Sequence, residues 1–341
     1  MESRSHTRIS ALAMSLALGV LLQAPLCGQD EGADAPAPTT RPATAGEPFL
    51  WEVTGDELEA PSYLFGTVHL PDDRVLDLPD VVEEAFAATD ALFCELPMDM
   101  GSQLAMQTAL LLEDGKTLSD LLPEELYERT DKLFTSKGLP LAALATYKIW
   151  AVASNATILD YLAEMMTKEA LDPMLYNRAA AAGKVVGGLE TMEEQVDAFD
   201  SLTIEEQIVM LEQTLDLIDE LAAEGKRPID DVMAAYISGD DEQLLEAARE
   251  SMDEDDPIGR KLEKMLIDDR NVRMADRMLE KMLASPETTF FFAVGAMHYP
   301  GEKGVVRLLG DKGLDVKKLK RSDAGQLTAP KVPVPAGEKD E

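Results

Sequence analysis

The chain has little histidine and little positive charge, and both shortages limit what the protein can be. Only three of its 341 residues are histidine, and 31 basic residues stand against 65 acidic ones, for a net charge of −34. A surface this negative repels phosphate groups and anionic lipid headgroups. The composition therefore argues against nucleic acid as a partner and favours the attraction of divalent cations.

Cysteine is scarce too, with Cys27 and Cys94 as the two examples. Cys27 lies in an amino-terminal stretch that we expect to be removed, which leaves Cys94 without a partner for an intramolecular disulfide. The fold must then be stabilised by its hydrophobic core or by a bound metal.

The chain begins with Arg4 and Arg8, followed by ISALAMSLALGVLLQAPLCGQD, in which the apolar run is shorter than the ~20 residues of a membrane-spanning helix. A basic start, a short apolar core and small residues are typical of a secretory signal peptide. We therefore predict a signal peptide at 1–28, export to the periplasm or the extracellular medium, and no transmembrane segment in the mature chain. Lipid anchoring at Cys27 is the alternative, although Leu26 is a poor match to the small residue expected before such a cysteine.

Composition also predicts the domain boundaries. Residues 29–47 and 321–341 are rich in Ala, Pro, Thr, Gly and acidic residues, and we expect both segments to be disordered. Residues 48–320 contain no Pro- or Gly-rich linker, which indicates one domain. Its strand signals lie at 49–53, 62–68, 91–96, 184–190, 288–295 and 314–319, and the interval 100–285 is otherwise helical, so the predicted class is α/β with a large helical middle insertion.

One short phrase occurs twice. FGTVHLP at 65–71 and VGAMHYP at 294–300 share the pattern Gly-x-x-His-x-Pro, and these two copies contain every histidine outside the leader. Each copy lies between an apolar strand and a segment that predicts a helix and a further strand, so the sheet is predicted to consist of two related halves. Ligands gather at the carboxyl ends of parallel strands. We therefore expect His69 and His298 to face each other, with ring nitrogens within about 5 Å for a shared metal.

The chemistry of these residues leaves alternatives open. Imidazole is the commonest protein metal ligand and the commonest general base, but His69 and His298 could also be hydrogen-bonded structural histidines at strand ends. Glu95 is predicted to lie inside the apolar strand ALFCEL, where an unpaired carboxylate is costly, so it needs a cation, either a metal or a basic side chain. Alternation along the strand turns Cys94 to the opposite face, as a buried thiol.

Two further charged residues interrupt apolar patterns. Arg270 lies four residues after Leu266 and four before Met274, so it falls on an apolar helical face, where it could pair with a carboxylate or face a ligand. Glu190 closes the strand KVVGGLE and is a similar, weaker candidate.

Taken together, these residues resemble the TraB/GumN/Tiki family, also called TraB/PrgY. The resemblance rests on GTVH with His69, CEL with Glu95, GLETMEEQ with Glu190 and Gln195, RN at 270–271 and GAMH with His298. A segment in which Asp172 opens a helix leading into the strand before Glu190 is also similar. The match extends from about 50 to 320.

The resemblance implies an α/β fold of two related halves, akin to erythromycin-esterase-like and ChaN-like proteins, with the two GxxH histidines and the glutamate around one cleft. Tiki members are metal-dependent peptidases that use Mn or Co, the esterase relatives use a histidine base without metal, and the ChaN-like relatives bind haem iron. The second motif of this chain departs from the family in having Met297 where small residues are common.

The resulting hypothesis is an exported metal-dependent hydrolase acting on a peptide or small-molecule substrate. His69, Glu95 and His298 would bind one divalent ion (Mn, Co, Zn or Fe), and Arg270 would complete the catalytic set by stabilising an oxyanion or orienting Glu95. Gly66, Glu190, Asn271 and Gly295 are secondary candidates. The rivals are a non-catalytic peptide- or metal-binding protein of the same fold and a metal-free esterase-like hydrolase with a histidine base.

Overall fold

The computed structural model describes residues 46–250 and 257–327. The predicted signal peptide at 1–28, most of the predicted linker at 29–47 and most of the predicted tail at 321–341 lie outside these residues. Where the two ends are described, the Arg321 backbone N–H donates to Glu47 Oε2 at 2.7 Å. Within the described ranges, no helix combines the length and apolar character needed to cross a membrane.

Six strands form one sheet, and each of them coincides with a strand signal in the sequence. They are β1 Leu50–Thr54, β2 Ser62–Thr67, β3 Ala91–Cys94, β4 Val185–Gly188, β5 Phe290–Gly295 and β6 Asp315–Lys318. The spatial order is β4-β3-β5-β2-β1-β6. The predicted α/β class is confirmed.

The pairing of β2 with β5 positions the two GxxH motifs. These strands are parallel neighbours, and Thr67 pairs with Gly295 at their carboxyl ends. Strand β3 pairs in parallel with the other side of β5. Strand β4 pairs in parallel with β3, so four consecutive parallel strands end at one edge of the sheet, where ligand sites of α/β proteins form. The two halves differ beyond this point, because antiparallel β1 lies between β2 and β6.

Fifteen α-helices are assigned in the described residues. They are α1 Asp73–Leu76, α2 Asp80–Ala88, α3 Met100–Ala109, α4 Leu118–Leu121, α5 Glu124–Ser136, α6 Ile149–Ile158, α7 Leu162–Met165, α8 Leu171–Ala181, α9 Met192–Asp200, α10 Ile204–Ala223, α11 Asp230–Ser238, α12 Asp241–Glu250, α13 Pro257–Glu263, α14 Asp269–Ala284 and α15 Val305–Asp311. As predicted, the middle of the chain is almost entirely helical.

Helices cover both faces of the sheet. On one face, α2 and α8 pack on Leu50, Phe65 and Cys94, which confirms the buried position expected for that thiol. On the other face, α11, α14 and α15 pack on residues such as Trp51 and Phe292. A third apolar cluster, centred on α5, α6, α9 and α10, forms the core of the helical insertion. The outcome is a helix–sheet–helix sandwich with a helical layer joined to it.

Candidate metal centre

The two motif histidines lie at the carboxyl ends of the neighbouring strands β2 and β5. His69 follows β2 by two residues, and His298 ends a short 3₁₀ turn, Ala296–His298, that follows β5. Their residues are 8% and 2% exposed. The parallel register therefore brings together two imidazoles that are 229 positions apart in the chain, inside the protein rather than on its surface.

Glu95 lies between the two imidazoles, directly after β3. Its Oε1 accepts a hydrogen bond of 2.8 Å from the backbone N–H of Gly295. The same oxygen lies 3.7 Å from His69 Nε2 and 3.8 Å from His298 Nε2. Both histidines thus present the same ring nitrogen to one carboxylate oxygen.

The orientation of His69 is set from the opposite side of its ring. Nδ1 lies 2.8 Å from Asp172 Oδ2, and Thr67 Oγ1 donates to Asp172 Oδ1 at 2.6 Å. A carboxylate accepts hydrogen bonds, so the proton is on Nδ1 and the lone pair of the neutral ring is on Nε2. This Nε2 is buried and has no hydrogen-bond partner among the described residues. The arrangement matches the carboxylate–histidine pairs that orient metal ligands.

His298 is oriented by an amide instead of a carboxylate. Its Nδ1 lies 2.6 Å from Asn271 Oδ1. Asn271 Nδ2 donates to the carbonyl of Lys303 at 2.9 Å, which fixes the orientation of the amide and makes its oxygen the acceptor for the ring. His298 Nε2 therefore also carries the lone pair on the side of Glu95.

The two histidines nevertheless differ in their affinity for a proton. Burial lowers the pKa of His69, but the carboxylates of Asp172 and Glu95 outweigh burial and raise it to about 10. Burial, with the nearby Arg270 guanidinium, lowers the pKa of His298 to about 4. Burial raises the pKa of Glu95, but Arg270 and the histidines outweigh it and hold this pKa well below its usual range. Without a metal, the centre therefore carries one imidazolium and one neutral imidazole at neutral pH.

Arg270 holds the second oxygen of Glu95. Its Nη2 donates to Glu95 Oε2 at 2.5 Å, its Nε donates to Glu190 Oε2 at 2.8 Å, and Nη1 lies 3.3 Å from the Leu266 carbonyl. Arg273 Nη2 donates to the other oxygen of Glu190 at 2.6 Å. The buried guanidinium is thus an ion-pair partner of both glutamates that the sequence singled out.

An irregular helix brings Arg270 and Asn271 to the centre. A π-helical turn, Lys264–Asp268, directly precedes α14 and is closed by a bond from the Asp269 N–H to the Lys264 carbonyl. Such a turn adds a residue to the helical repeat and so rotates the next residues about the helix axis, and π-turns are frequent at functional sites. Arg270 and Asn271 then face inward, each 1% exposed.

The two motif glycines differ in function. A Cβ at Gly295 would lie 3.0 Å from Glu95 Oε1, 3.5 Å from His298 Cδ2 and 3.6 Å from His69 Nε2. It would therefore fill the space that the three side chains share. A Cβ at Gly66 would instead lie 2.7 Å from Phe49 Cβ and 3.0 Å from Ala296. Gly295 leaves room in the centre, whereas Gly66 permits close packing of the core.

The donor set suits a divalent metal in its chemistry. Two imidazole nitrogens, both with inward lone pairs once His69 has lost its second proton, and one carboxylate oxygen are ligands for Zn, Mn, Co or Fe. In the described residues, no group of three or more His, Cys, Asp or Glu side chains is already arranged to hold a metal ion. Donors that share one metal at about 2.1 Å lie about 3.0–3.6 Å apart, so the 3.7 and 3.8 Å separations are slightly too wide.

The structure thus brings His69, Glu95, His298 and Arg270 together, with Asn271, Gly295 and Glu190 around them. Gly66 lies behind the centre, in the core. Asp172, Thr67 and Arg273 were absent from the candidates chosen on the residues' own chemistry. Asp172 could have been found from its place in the segment that resembles the family. Thr67 and Arg273 carry no such signal, because their partners are distant in sequence.

Comparison with known proteins places the chain in a family. The model of the TraB/PrgY/gumN family matches residues 49–318, which is most of the chain and all six strands. The chain belongs to the TraB/PrgY/gumN family.

Two curated relatives of this chain are both named as TIKI metalloproteases. The chain is 29% identical to metalloprotease TIKI2 of Danio rerio over 79% of this chain and 60% of that protein. It is 28% identical to metalloprotease TIKI1 of Homo sapiens over 85% of this chain and 69% of that protein. The chain thus spans less than two thirds of the length of the Danio rerio relative. No solved structure gives a significant match.

Proposed function

We propose that the protein is an exported metal-dependent hydrolase that cleaves peptide bonds. His69, Glu95 and His298 hold one divalent ion, which is Mn, Co, Zn or Fe. The observation that carries the proposal is the geometry at Glu95 Oε1, which both Nε2 atoms face at less than 4 Å. The buried Nε2 of His69, with no hydrogen-bond partner among the described residues, supports it, because a buried polar atom needs a partner.

The relatives support the same class of reaction. Those named above are metalloproteases at 28–29% identity, which supports a metal-dependent protease at the level of the family. The metal, the peptide substrate and export are our proposals for this chain. Export rests on the amino-terminal pattern described above.

Each residue around the ion has a separate task. The ion would supply a Lewis acid for a peptide carbonyl. Asp172 and Asn271 keep the protons on the outer nitrogens of His69 and His298, so that both lone pairs point inward. Gly295 N–H and Arg270 bind one oxygen each of Glu95 and fix its carboxylate. Each of the three guanidinium nitrogens of Arg270 donates to a protein oxygen, on Glu190, Leu266 or Glu95, so orienting Glu95 fits this residue better than stabilising an oxyanion.

Burial has two consequences for the reaction. His69, Glu95 and His298 are each at most 8% exposed, so electrostatic interactions at the centre are stronger than in water. A peptide can reach them only if side chains that cover the centre move. Substrate binding is therefore expected to involve an opening step.

A metal-free hydrolase is the second candidate, because His298 is held neutral. With its pKa at about 4 and its Nδ1 on Asn271, His298 has an unprotonated Nε2 at neutral pH, so this nitrogen is available as a base but a weak one. The two candidates differ in their response to chelators.

Elemental analysis combined with an activity screen tests the proposal. The mature protein, dialysed with Mn, Co or Zn, should retain about one ion per chain and cleave members of a peptide library. A strong chelator should abolish cleavage, and the same metal should restore it. Cleavage that persists in chelator would favour His298 as a base. One bound ion without cleavage of any peptide would favour the binding-protein rival.

A further inference from the structure

A small cavity adjoins the candidate centre. Its lining includes the polar residues Thr67 and His298 and the apolar residues Val232, Leu244, Ile267 and Met297. Its volume is about 10 Å³. This is close to the smallest space that holds one water-sized group, which is also about the size of a methyl group. His298 therefore belongs both to the centre and to the cavity lining, and most of the other lining residues are apolar.

The part of this cavity lining that the structure describes is neutral, although the chain as a whole is strongly acidic. Among the described residues that line it, none is Asp, Glu, Lys or Arg. Tyr236, another of the lining residues, has its hydroxyl engaged, because the O–H donates to the Gly66 carbonyl at 2.8 Å. A charged side chain entering the cavity would find no partner and would lose its hydration.

The cavity also lies close to Glu95 and to the group that orients His69. Gly295 lines it, and the site of a Cβ at Gly295 is 3.0 Å from Glu95 Oε1. Thr67 lines it too, and its hydroxyl donates to Asp172, the residue that orients His69. The cavity is thus close enough to Glu95 for the side chain next to a bound peptide carbonyl to reach it.

We infer that this cavity binds the side chain next to the bond that is cleaved and selects a small apolar residue, alanine ahead of leucine and ahead of charged residues. The inference rests on the proposed function, since it assigns the cavity to the substrate of the same centre. Leu244 and Val232 set the size limit from α12 and α11. One methylene group in an apolar pocket typically changes selectivity by about 10–200-fold.

The test uses a set of peptides that differ only at the residue beside the cleaved bond: alanine, valine, leucine, aspartate or lysine. Their kcat/KM values are measured with the metal-loaded protein, and their Kd values with the protein in chelator. We expect alanine to exceed leucine by at least about tenfold in both measurements, with aspartate and lysine lowest. In Leu244→Ala, kcat/KM for the leucine peptide should rise by at least about tenfold relative to kcat/KM for the alanine peptide, and the Kd of the leucine peptide should fall by a similar factor.

Leu245→Ala is the matched control. Leu245 is on the same helix but lines a different cavity, with Trp51 and Pro300. It should leave the order of peptides unchanged. Val232→Ala, a smaller truncation on α11, repeats the test if Leu244→Ala does not fold, and thermal melts establish which variants are folded.

The outcomes separate this inference from the proposed function. If nothing is cleaved but the chelated protein binds alanine peptides tightest and Leu244→Ala relaxes that order, the cavity assignment holds and the hydrolase proposal fails. If peptides are cleaved with no size preference, or Leu244→Ala and Leu245→Ala behave alike, the cavity assignment is wrong and the hydrolase proposal stands. If no peptide of the set binds in chelator, the cavity assignment is wrong as well.

Discussion

The two GxxH motifs have the same sequence pattern and the same place at the end of a parallel strand, but they have different surroundings. His69 has a carboxylate behind it, from Asp172, and a pKa raised to about 10. His298 has the Asn271 amide behind it and a pKa lowered to about 4. A repeated motif thus fixes where an imidazole points, while the element packed behind it fixes its charge.

The glycines of the two motifs, like the histidines, have the same place in the pattern but different surroundings. Gly295 keeps space open between Glu95 and both rings, whereas Gly66 lets Phe49 and Ala296 approach the strand. Glu95 is the one group that both halves share, because its Oε1 faces both histidines. Substitutions at these residues can therefore distinguish residues that are needed for metal binding at the shared centre from residues that only stabilise one half of the fold.

The largest effect is expected at Glu95, because it is the only anion among the three donors. Glu95→Gln keeps the shape but removes the charge, so metal affinity should fall by more than about 100-fold. Arg270 is 1% exposed and would lose one of its two carboxylates, so the free energy of unfolding should fall by about 3 kcal/mol. Metal titration and chemical denaturation in chelator measure the two quantities.

Glu190→Gln is the matched control for this prediction. Glu190 pairs with the same Arg270, at 2.8 Å, but the described contacts place no histidine on it. It should destabilise the fold by a similar amount and reduce metal affinity by less than about tenfold. Equal losses of metal affinity in the two variants would show that Glu95 acts only as an ion-pair partner.

The second effect compares Gly295→Ala with Gly66→Ala. The first methyl group would lie within 3.6 Å of all three candidate ligands, so metal binding should be lost with a modest change in stability. The second would contact Phe49 at 2.7 Å, so it should lower the free energy of unfolding by about 1–3 kcal/mol. Metal titrations and melts of both variants check this. Loss of metal binding in Gly66→Ala alone would reverse the assignment.

The smallest effect is expected when the groups behind the two imidazole rings are exchanged. It is measured as the pH dependence of the free energy of unfolding in the presence of chelator. The pKa of His69 is raised above its unfolded value, so its stabilising contribution is complete below about pH 6.5 and is lost as the pH rises through about 10. The destabilisation caused by Asp172→Asn should therefore shrink over that range, by at most about 1.4 kcal/mol per pH unit. Urea denaturation at several pH values measures it.

Asn271→Asp is the mirror-image variant. Wild-type His298 stays neutral down to about pH 4, so the folded protein loses stability relative to the unfolded chain as the pH falls from about 6.5 towards 4. A carboxylate behind His298 should raise its pKa and reduce this acid loss. If the free energies of unfolding of Asp172→Asn and Asn271→Asp both varied with pH in parallel with that of the wild type, the proposed difference in charge between His69 and His298 would be wrong.

Much of this arrangement could be predicted from the sequence. The six strands have strong local signals, and apolar strands ending in GxxH placed both histidines at carboxyl ends. The charge of Glu95 after an apolar run and of Arg270 on an apolar face showed that each needed a partner. Local pattern and the cost of burial were enough for these conclusions.

The rest depended on contacts between distant parts of the chain. Asp172 reaches His69 from α8, 103 positions away in sequence, and apart from its place in the segment that resembles the family nothing distinguishes it from the many other acidic residues. The choice between a metal and Arg270 as the partner of Glu95 could not be made in advance, and the structure pairs Arg270 with one oxygen while the other faces the histidines. The antiparallel β1 between β2 and β6 likewise results from strand pairing that is not local.

The central claim is that both halves build one metal centre, and metal stoichiometry in single-histidine variants tests it most directly. Wild type, His69→Ala and His298→Ala are loaded with Mn, Co or Zn, dialysed and analysed for metal, with melts to establish that each is folded. The account predicts about one ion per chain in the wild type and almost none in either variant, because each histidine supplies one of three donors to the same ion. Full metal content in either folded variant would contradict a shared centre.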